Sequence, residues 1–305
     1  MASAYSTFFH AFPWFLPTVA ALLGAIVGSF LNVVIYRVPA GKSIVRPGSH
    51  CACGTPIAWY DNIPVLSWFI LRGKARCCGR PYSIRYALVE LLVAGLFLAS
   101  WQAFSPAKAM VGWLLLSGLV CATFIDLDHM IIPDVFTIGG GVLGVVLSLL
   151  VPSLHGFASD LWVADVLRSG VESLLGLLLG SGLVLWIALV AEAVLKKEAM
   201  GFGDVKFVGA IGAFCGWQGA VFSVFGGAVV GTIWVGLALL WKRVRGARSP
   251  IPTEASAENE EGKSADLGFG VHVPFGPMLA VAAAVYFLLA HRWVDPYLQQ
   301  FASLF

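Results

Sequence analysis

Apolar residues gather in long blocks separated by short polar junctions, and those blocks set the plan of the chain. About 20 residues of helix are needed to cross roughly 30 Å of hydrocarbon, and several blocks are long enough. The pattern predicts eight spans, near 14–36, 86–104, 108–125, 134–151, 172–195, 205–217, 219–241 and 274–291. The sixth is short for a full crossing. The first exceeds the apolar core of a secretory signal and has no small-residue cleavage site after it, so it reads as a retained helix.

Composition supports an all-α polytopic membrane protein. Of 305 residues, 59% are hydrophobic and 12% charged, and the mean hydropathy is +0.85. The net charge of +2 conceals a strong asymmetry. Eight basic residues lie between the first and second spans, three near the junction of the fifth and sixth, and five between the seventh and eighth. These make sixteen of the 19. With both termini outside, all three basic segments face the cytoplasm, as lysine and arginine prefer. The bilayer explains the charge, and no nucleic-acid partner is needed.

Two polar pieces interrupt the spans. Residues 37–85 form a cytoplasmic loop rich in Gly, Pro and Cys, too long for a simple connector and read as a small Cys-containing domain. Residues 246–272 open with GARSPIPTEASAENEEGKSADLGFG, which has little to bury and reads as a flexible linker. The expected organisation is a first span (1–36), the Cys-containing domain (37–85), a membrane core (86–245), the linker (246–272) and a last span with the C-terminus (273–305). The stretch SDLWVADVL, within 152–171, reads as an external interfacial helix.

Acidic residues are scarce, so their positions carry information. GFGDVK sets Asp204 after two glycines at the start of the sixth span, and FIDLDHMIIPD sets Asp126 at the end of the third. By the predicted topology both junctions face the cytoplasm at comparable depth. Carboxylates at the hydrocarbon edge are costly unless they line a cavity or a hydrated groove. Two that meet can share one proton. One then activates water as a base while the other donates to a peptide carbonyl, which is metal-free aspartic-protease chemistry. Gly201 and Gly203 would clear the backbone for an extended peptide. Lys206 would orient substrate or snorkel to the interface. Asp134, after Pro133, reads as first-turn helix chemistry, and Asp128 and His129 as hydrated interfacial residues.

These residues resemble the type IV prepilin leader peptidases, a family of membrane aspartic proteases. The similarity covers nearly the whole chain, through GAIVGSFLNVVIYRVP (24–39), the loop stretch from GTPIAWYDNIP to RYALVELL, FIDLDHMIIPD, EAMGFGDVKFVGAIGAFCGW and VPFGPMLA (273–280). The resemblance implies Asp126 and Asp204 as the catalytic pair, with the Asp126-to-Pro133 spacing selecting Asp126 over Asp128. It also implies prepilins or type II secretion pseudopilins as substrates, a bacterial inner-membrane location and cleavage on the cytoplasmic face. S-Adenosylmethionine-dependent N-methylation of the new terminus is implied too, with the loop as the region associated with it.

The loop departs from the family's paired C-x-x-C pattern. Cys51 and Cys53 form C-x-C, Cys77 and Cys78 are adjacent, and Ala75 stands where a partner is usual. Four thiols in a reducing compartment either hold a structural zinc ion or stay as inert thiols, and both readings stand. Cys121 and Cys215, within spans, read as small buried residues. Glu90 is open between a contact to the loop and a plain interfacial acid. Two other functions compete: a proton-coupled transporter using Asp126 and Asp204, and a Mg²⁺-dependent membrane phosphotransferase using Asp126 and Asp128.

Overall fold

The computed structural model describes residues 11–196, 200–245 and 274–302, so the whole of the expected linker, 246–272, lies outside the described residues. In chain order the long helices are α1 (Phe15–Arg37), α3 (Arg85–Ala103), α4 (Pro106–His129), α5 (Asp134–Leu150), α6 (Trp162–Leu195), α7 (Phe202–Arg245) and α8 (Gly276–Val285). A short α2 (Leu66–Ile70) lies in the loop. A π-helical turn, Tyr286–Ala290, joins α8 to α9 (His291–Ala302). Among the described residues, six segments are long and apolar enough to cross a membrane, and Asp134–Leu150 is a shorter apolar helix.

The expected sixth and seventh spans are the two limbs of α7. Gly216 leaves the helical region at φ +70°, ψ 178°, a conformation open to glycine and strained for other residues. A Cβ added at Gly212 would lie 3.2 Å from the Ala220 Cβ, and one at Gly180 would approach both Val208 and Ala220. On a straight helix residues 208 and 220 would stand about 18 Å apart. The chain therefore turns back on itself at Gly216, and 202–215 and 217–245 run side by side.

Close backbone approach holds this bundle together, as in membranes generally, where water does not drive helices into contact. A Cβ at Gly176 of α6 would fall 2.2 Å from the Gly212 carbonyl oxygen of α7, which leaves no room for a side chain. Gly24 and Gly28 of α1 meet Ala94 and Glu90 of α3 at 2.8 Å in the same sense. Between these pairs runs α4, whose Leu115, Leu116, Leu119, Ala122 and Ile125 are buried. That burial ends at Asp126.

The segment read as an interfacial helix is instead the opening of α6, which runs unbroken from Trp162. No breaker separates the two parts. Asp165 is buried and accepts the Ser159 N–H (2.5 Å) and Oγ–H (2.7 Å), fixing the chain entering the helix.

Candidate active site

α4 stops at His129 because Met130 turns left-handed (φ 54°) while its N–H still bonds the Asp126 carbonyl at 2.9 Å. Three residues on, Pro133 precedes α5, where its fixed φ suits a helix entry. The turn sets Asp126 in the last turn of α4, facing the start of α8. Asp126 is 6% exposed, and its Oδ2 accepts the Gly276 N–H at 3.1 Å. One oxygen is thus held by the main chain at a helix N-terminus. A Cβ at Gly276 would lie 2.6 Å from that oxygen, so only glycine permits the contact without a shift.

Asp204 sits in the first turn of α7, half-buried, with its N–H bonded to the Gly201 carbonyl at 3.1 Å. A Cβ at exposed Gly201 would lie 3.8 Å from the Asp204 Oδ2, so the carboxyl folds towards the bare side of that residue. Ile132 links the two acids' surroundings. It lies 3.7 Å from the Cβ position of Gly203 and 3.0 Å from that of Gly276. Asp126 is an acidic neighbour whose charge acts on Asp204. The end of α4 and the starts of α7 and α8 therefore meet around one point.

The other polar groups of this end are already engaged. The Arg85 fork holds both Asp128 oxygens at 2.7 Å, donates to the Phe124 carbonyl at 3.3 Å and lies over the Phe124 ring. Lys206 pairs with Asp134 and lies over the Phe202 ring, so its ammonium joins α5 to α7. His129 is exposed, as expected of a wet junction. Glu90 proves to be a loop contact, since its Oε2 accepts the Val65 N–H at 2.6 Å.

The loop folds as two knuckles. Isolated bridges join His50 to Pro56 and Lys74 to Pro81, and each turn contains a left-handed glycine, Gly54 or Gly79. The knuckles bring Cys51 within 3.5 Å of Cys78 and Cys53 within 3.4 Å of Cys77, and all four sulfurs lie within 4.8 Å of one another. Adjacent cysteines therefore do not force the thiols apart. The Thr55 hydroxyl and N–H beside Cys53 hold its thiol down to about 6, while the Cys53 and Cys51 sulfurs push Cys77 up to about 12. A chelate frame thus exists without the usual spacing.

Sequence reading missed three residues here. Gly276 lay inside a recognised stretch, and the Gly-Pro at a helix start was the available signal for its role. Arg85, the first residue of an apolar helix, gave only its charge. Ile132 gave none.

Two family models match the chain: the bacterial peptidase A24 N-terminal domain over residues 22–104 and the type IV leader peptidase family over 113–236. Among curated relatives, a "Prepilin leader peptidase/N-methyltransferase" of Aeromonas hydrophila is 33% identical, covering 96% of this chain and 97% of the relative. One of the same name from Xanthomonas campestris is also 33% identical, over 93% and 95%. One from Myxococcus xanthus is 42% identical over 70% of this chain and 61% of its own length. No solved structure matches.

Proposed function

This chain belongs to the type IV leader peptidase family, and from that premise we propose that it removes the leader peptide of type IV prepilins or type II secretion pseudopilins, with Asp126 and Asp204 as its acid pair. One observation carries the assignment: the two acids come from different helical hairpins, yet Gly203, next to Asp204, and Gly276, bonded to Asp126, both lie against Ile132 at one end of the bundle. Gly276 engages one Asp126 oxygen, leaving the other for water.

In the proposed reaction, the ionised carboxylate takes a proton from water as its oxygen adds to the scissile carbonyl carbon. The protonated partner donates to the carbonyl oxygen. The tetrahedral intermediate then collapses: the C–N bond breaks, the leaving amine takes a proton from the acid that had gained one, and a hydroxyl of the intermediate returns its proton to the other carboxylate. Exposed Gly201 and neighbouring Gly203 give the peptide backbone its approach, and Lys206 positions α7 through Asp134 rather than touching substrate. Proteolysis needs no metal.

The competing readings are not favoured. Asp128 has both oxygens committed to Arg85, so the pair needed for a Mg²⁺-diphosphate site is not free. Both acids lie in terminal helical turns, whereas a proton carrier calls for acids near mid-membrane.

The new N-terminus would then be methylated, with S-adenosylmethionine as methyl donor and residues 37–85 as the region responsible. The four sulfurs suit zinc. Tetrahedral Zn–S bonds of about 2.3 Å put sulfurs roughly 3.8 Å apart, near the spacing that the knuckles impose. Such an ion would tie the two knuckles together and take no part in the cut. With the basic segments on the cytoplasmic side, the site faces the cytoplasm of a bacterial inner membrane.

Membranes holding the protein, incubated with a synthetic prepilin, test this reading by mass spectrometry. A shortened product supports the peptidase assignment, and an added methyl on that product supports the second activity. An intact substrate rejects both. Elemental analysis of the purified chain, beside Cys51→Ser, tests the zinc site; equal zinc in the two proteins would reject it.

A further inference from the structure

The short helix α2 is built inside out. Its one polar residue, Ser67, is buried and donates its hydroxyl to the Tyr60 carbonyl at 3.4 Å. Its large apolar residues Leu66, Phe69 and Ile70 are 58%, 62% and 67% exposed. Spaced i, i+3 and i+4, they share one face of the helix. The loop supplies no cover for that face, and an apolar surface of this kind marks a contact with something else.

A second contact says where α2 stands. Glu90 lies five residues into α3, one of the helices long and apolar enough to span, or about 7.5 Å along it. Its carboxylate, which Ser29 of α1 also bonds, accepts the N–H of Val65 at 2.6 Å. Val65 immediately precedes α2 and sits at φ +63°, which a β-branched residue adopts only when its surroundings impose it. The entrance to α2 is therefore pinned to the seam between α1 and α3. Val89 and Val93 turn into the core shared with α4, and Glu90 lies about 100° round the helix from Val89. Just past it, Leu91 and Leu92 are exposed, as a lipid-facing surface is.

Charge at this level favours one kind of cover. Residues 37–85 hold eight basic residues and a single acid, Asp61, which Arg76 engages. Arg72 and Lys74, which follow α2, are exposed and enter no ion pair among the described residues. An apolar face followed by free cations, at the depth where a spanning helix begins, matches a bilayer surface that contains anionic lipid.

We propose that α2 is a membrane anchor: the face of Leu66, Phe69 and Ile70 enters the leaflet beside α1 and α3, and Arg72 and Lys74 rest on anionic phospholipid headgroups. One turn of helix would bind a membrane weakly on its own. The spanning helices already hold it there, so the contact is intramolecular in effect and needs little affinity. The anchor sets the height of the Cys-containing domain over the lipid and stops it swinging about its connections to α1 and α3.

The test places a fluorescent amino acid at Leu66 or Ile70 of the full-length protein, in nanodiscs of phosphatidylethanolamine and phosphatidylglycerol. Lipid with a nitroxide near the headgroup end of its tail is expected to quench either probe about threefold more than acrylamide in the water does. Replacing phosphatidylglycerol by phosphatidylcholine, or introducing Arg72→Glu with Lys74→Glu, should lower the lipid quenching about twofold. Stronger quenching by acrylamide overturns the anchor, because the face would then stand in water. Weak quenching by both overturns it too, and a photo-crosslinker at Ile70 then shows whether a second copy of this chain covers the face. Lipid quenching that ignores both the headgroup and the charge reversal overturns the part given to Arg72 and Lys74.

Discussion

Arg85 grips Asp128 through both carboxylate oxygens, each at 2.7 Å, only two residues beyond Asp126. The grip ties the start of α3, where the Cys-containing loop ends, to the last turn of α4. Each partner is about a third exposed, so Arg85→Ala should cost at most about 1 kcal/mol of stability. Its larger effect is expected on cleavage. A misplaced α4 terminus moves Asp126, and displacements near 1 Å cost about tenfold to a hundredfold in rate. Arg85→Lys should recover only part, because an ammonium cannot fork across two oxygens. Prepilin cleavage rates beside thermal melting will separate the two effects.

Asp126→Asn and Asp204→Asn should each lower cleavage by about 10³-fold or more, since either change removes one member of an acid–base pair. Chelators should leave the wild-type rate unchanged. A cleavage rate that falls with EDTA and returns with a divalent cation would overturn the metal-free reading.

Gly276→Ala puts a methyl 2.6 Å from the Asp126 Oδ2 and 3.0 Å from Ile132. Overpacking of this kind costs about 1–3 kcal/mol, which a bundle of this size should survive. The displaced carboxylate should not. Cleavage is expected to fall about a hundredfold while the folded fraction by size-exclusion chromatography stays near wild type.

His155 lies in the turn between α5 and α6, where burial and the nearby Lys108 charge depress it to about 4 from 6.5. Between those values the unfolded chain binds the proton that the folded chain refuses, so stability rises with pH. Its contribution is full above about 6.5 and is lost as pH falls towards 4. The maximum is about 3 kcal/mol from 1.36 kcal/mol per unit. Melting midpoints in detergent should therefore drop between pH 6.5 and 4 in the wild type, and less steeply in His155→Leu.

The spans were legible because hydrocarbon demands long apolar helices, and the acid pair because few other charges compete for notice. The order of the two catalytic-type segments also told that Asp126 and Asp204 lie at one face. What the pattern did not carry was contact between distant parts. Nothing in RYALVELL says that its arginine reaches Asp128 forty-three residues later. Composition likewise hid the fate of SDLWVADVL, where a polar patch looked like a separate helix and is the first part of α6. The cysteine frame left the matter open. Spacing did not choose between a zinc site and inert thiols, and turns through Gly54 and Gly79 bring the four sulfurs together.

The limb of α7 that carries Asp204 ends at Gly216 after 14 residues, roughly 21 Å of helix against about 30 Å of hydrocarbon. Glu172 and Gln218 lie against that turn. Polar side chains therefore reach inward from the far leaflet, where the surrounding helices meet them, since residues 207–216 are buried. Reconstitution across a series of tail lengths is expected to leave cleavage little changed, because the hairpin that holds one of the two acids is walled by protein.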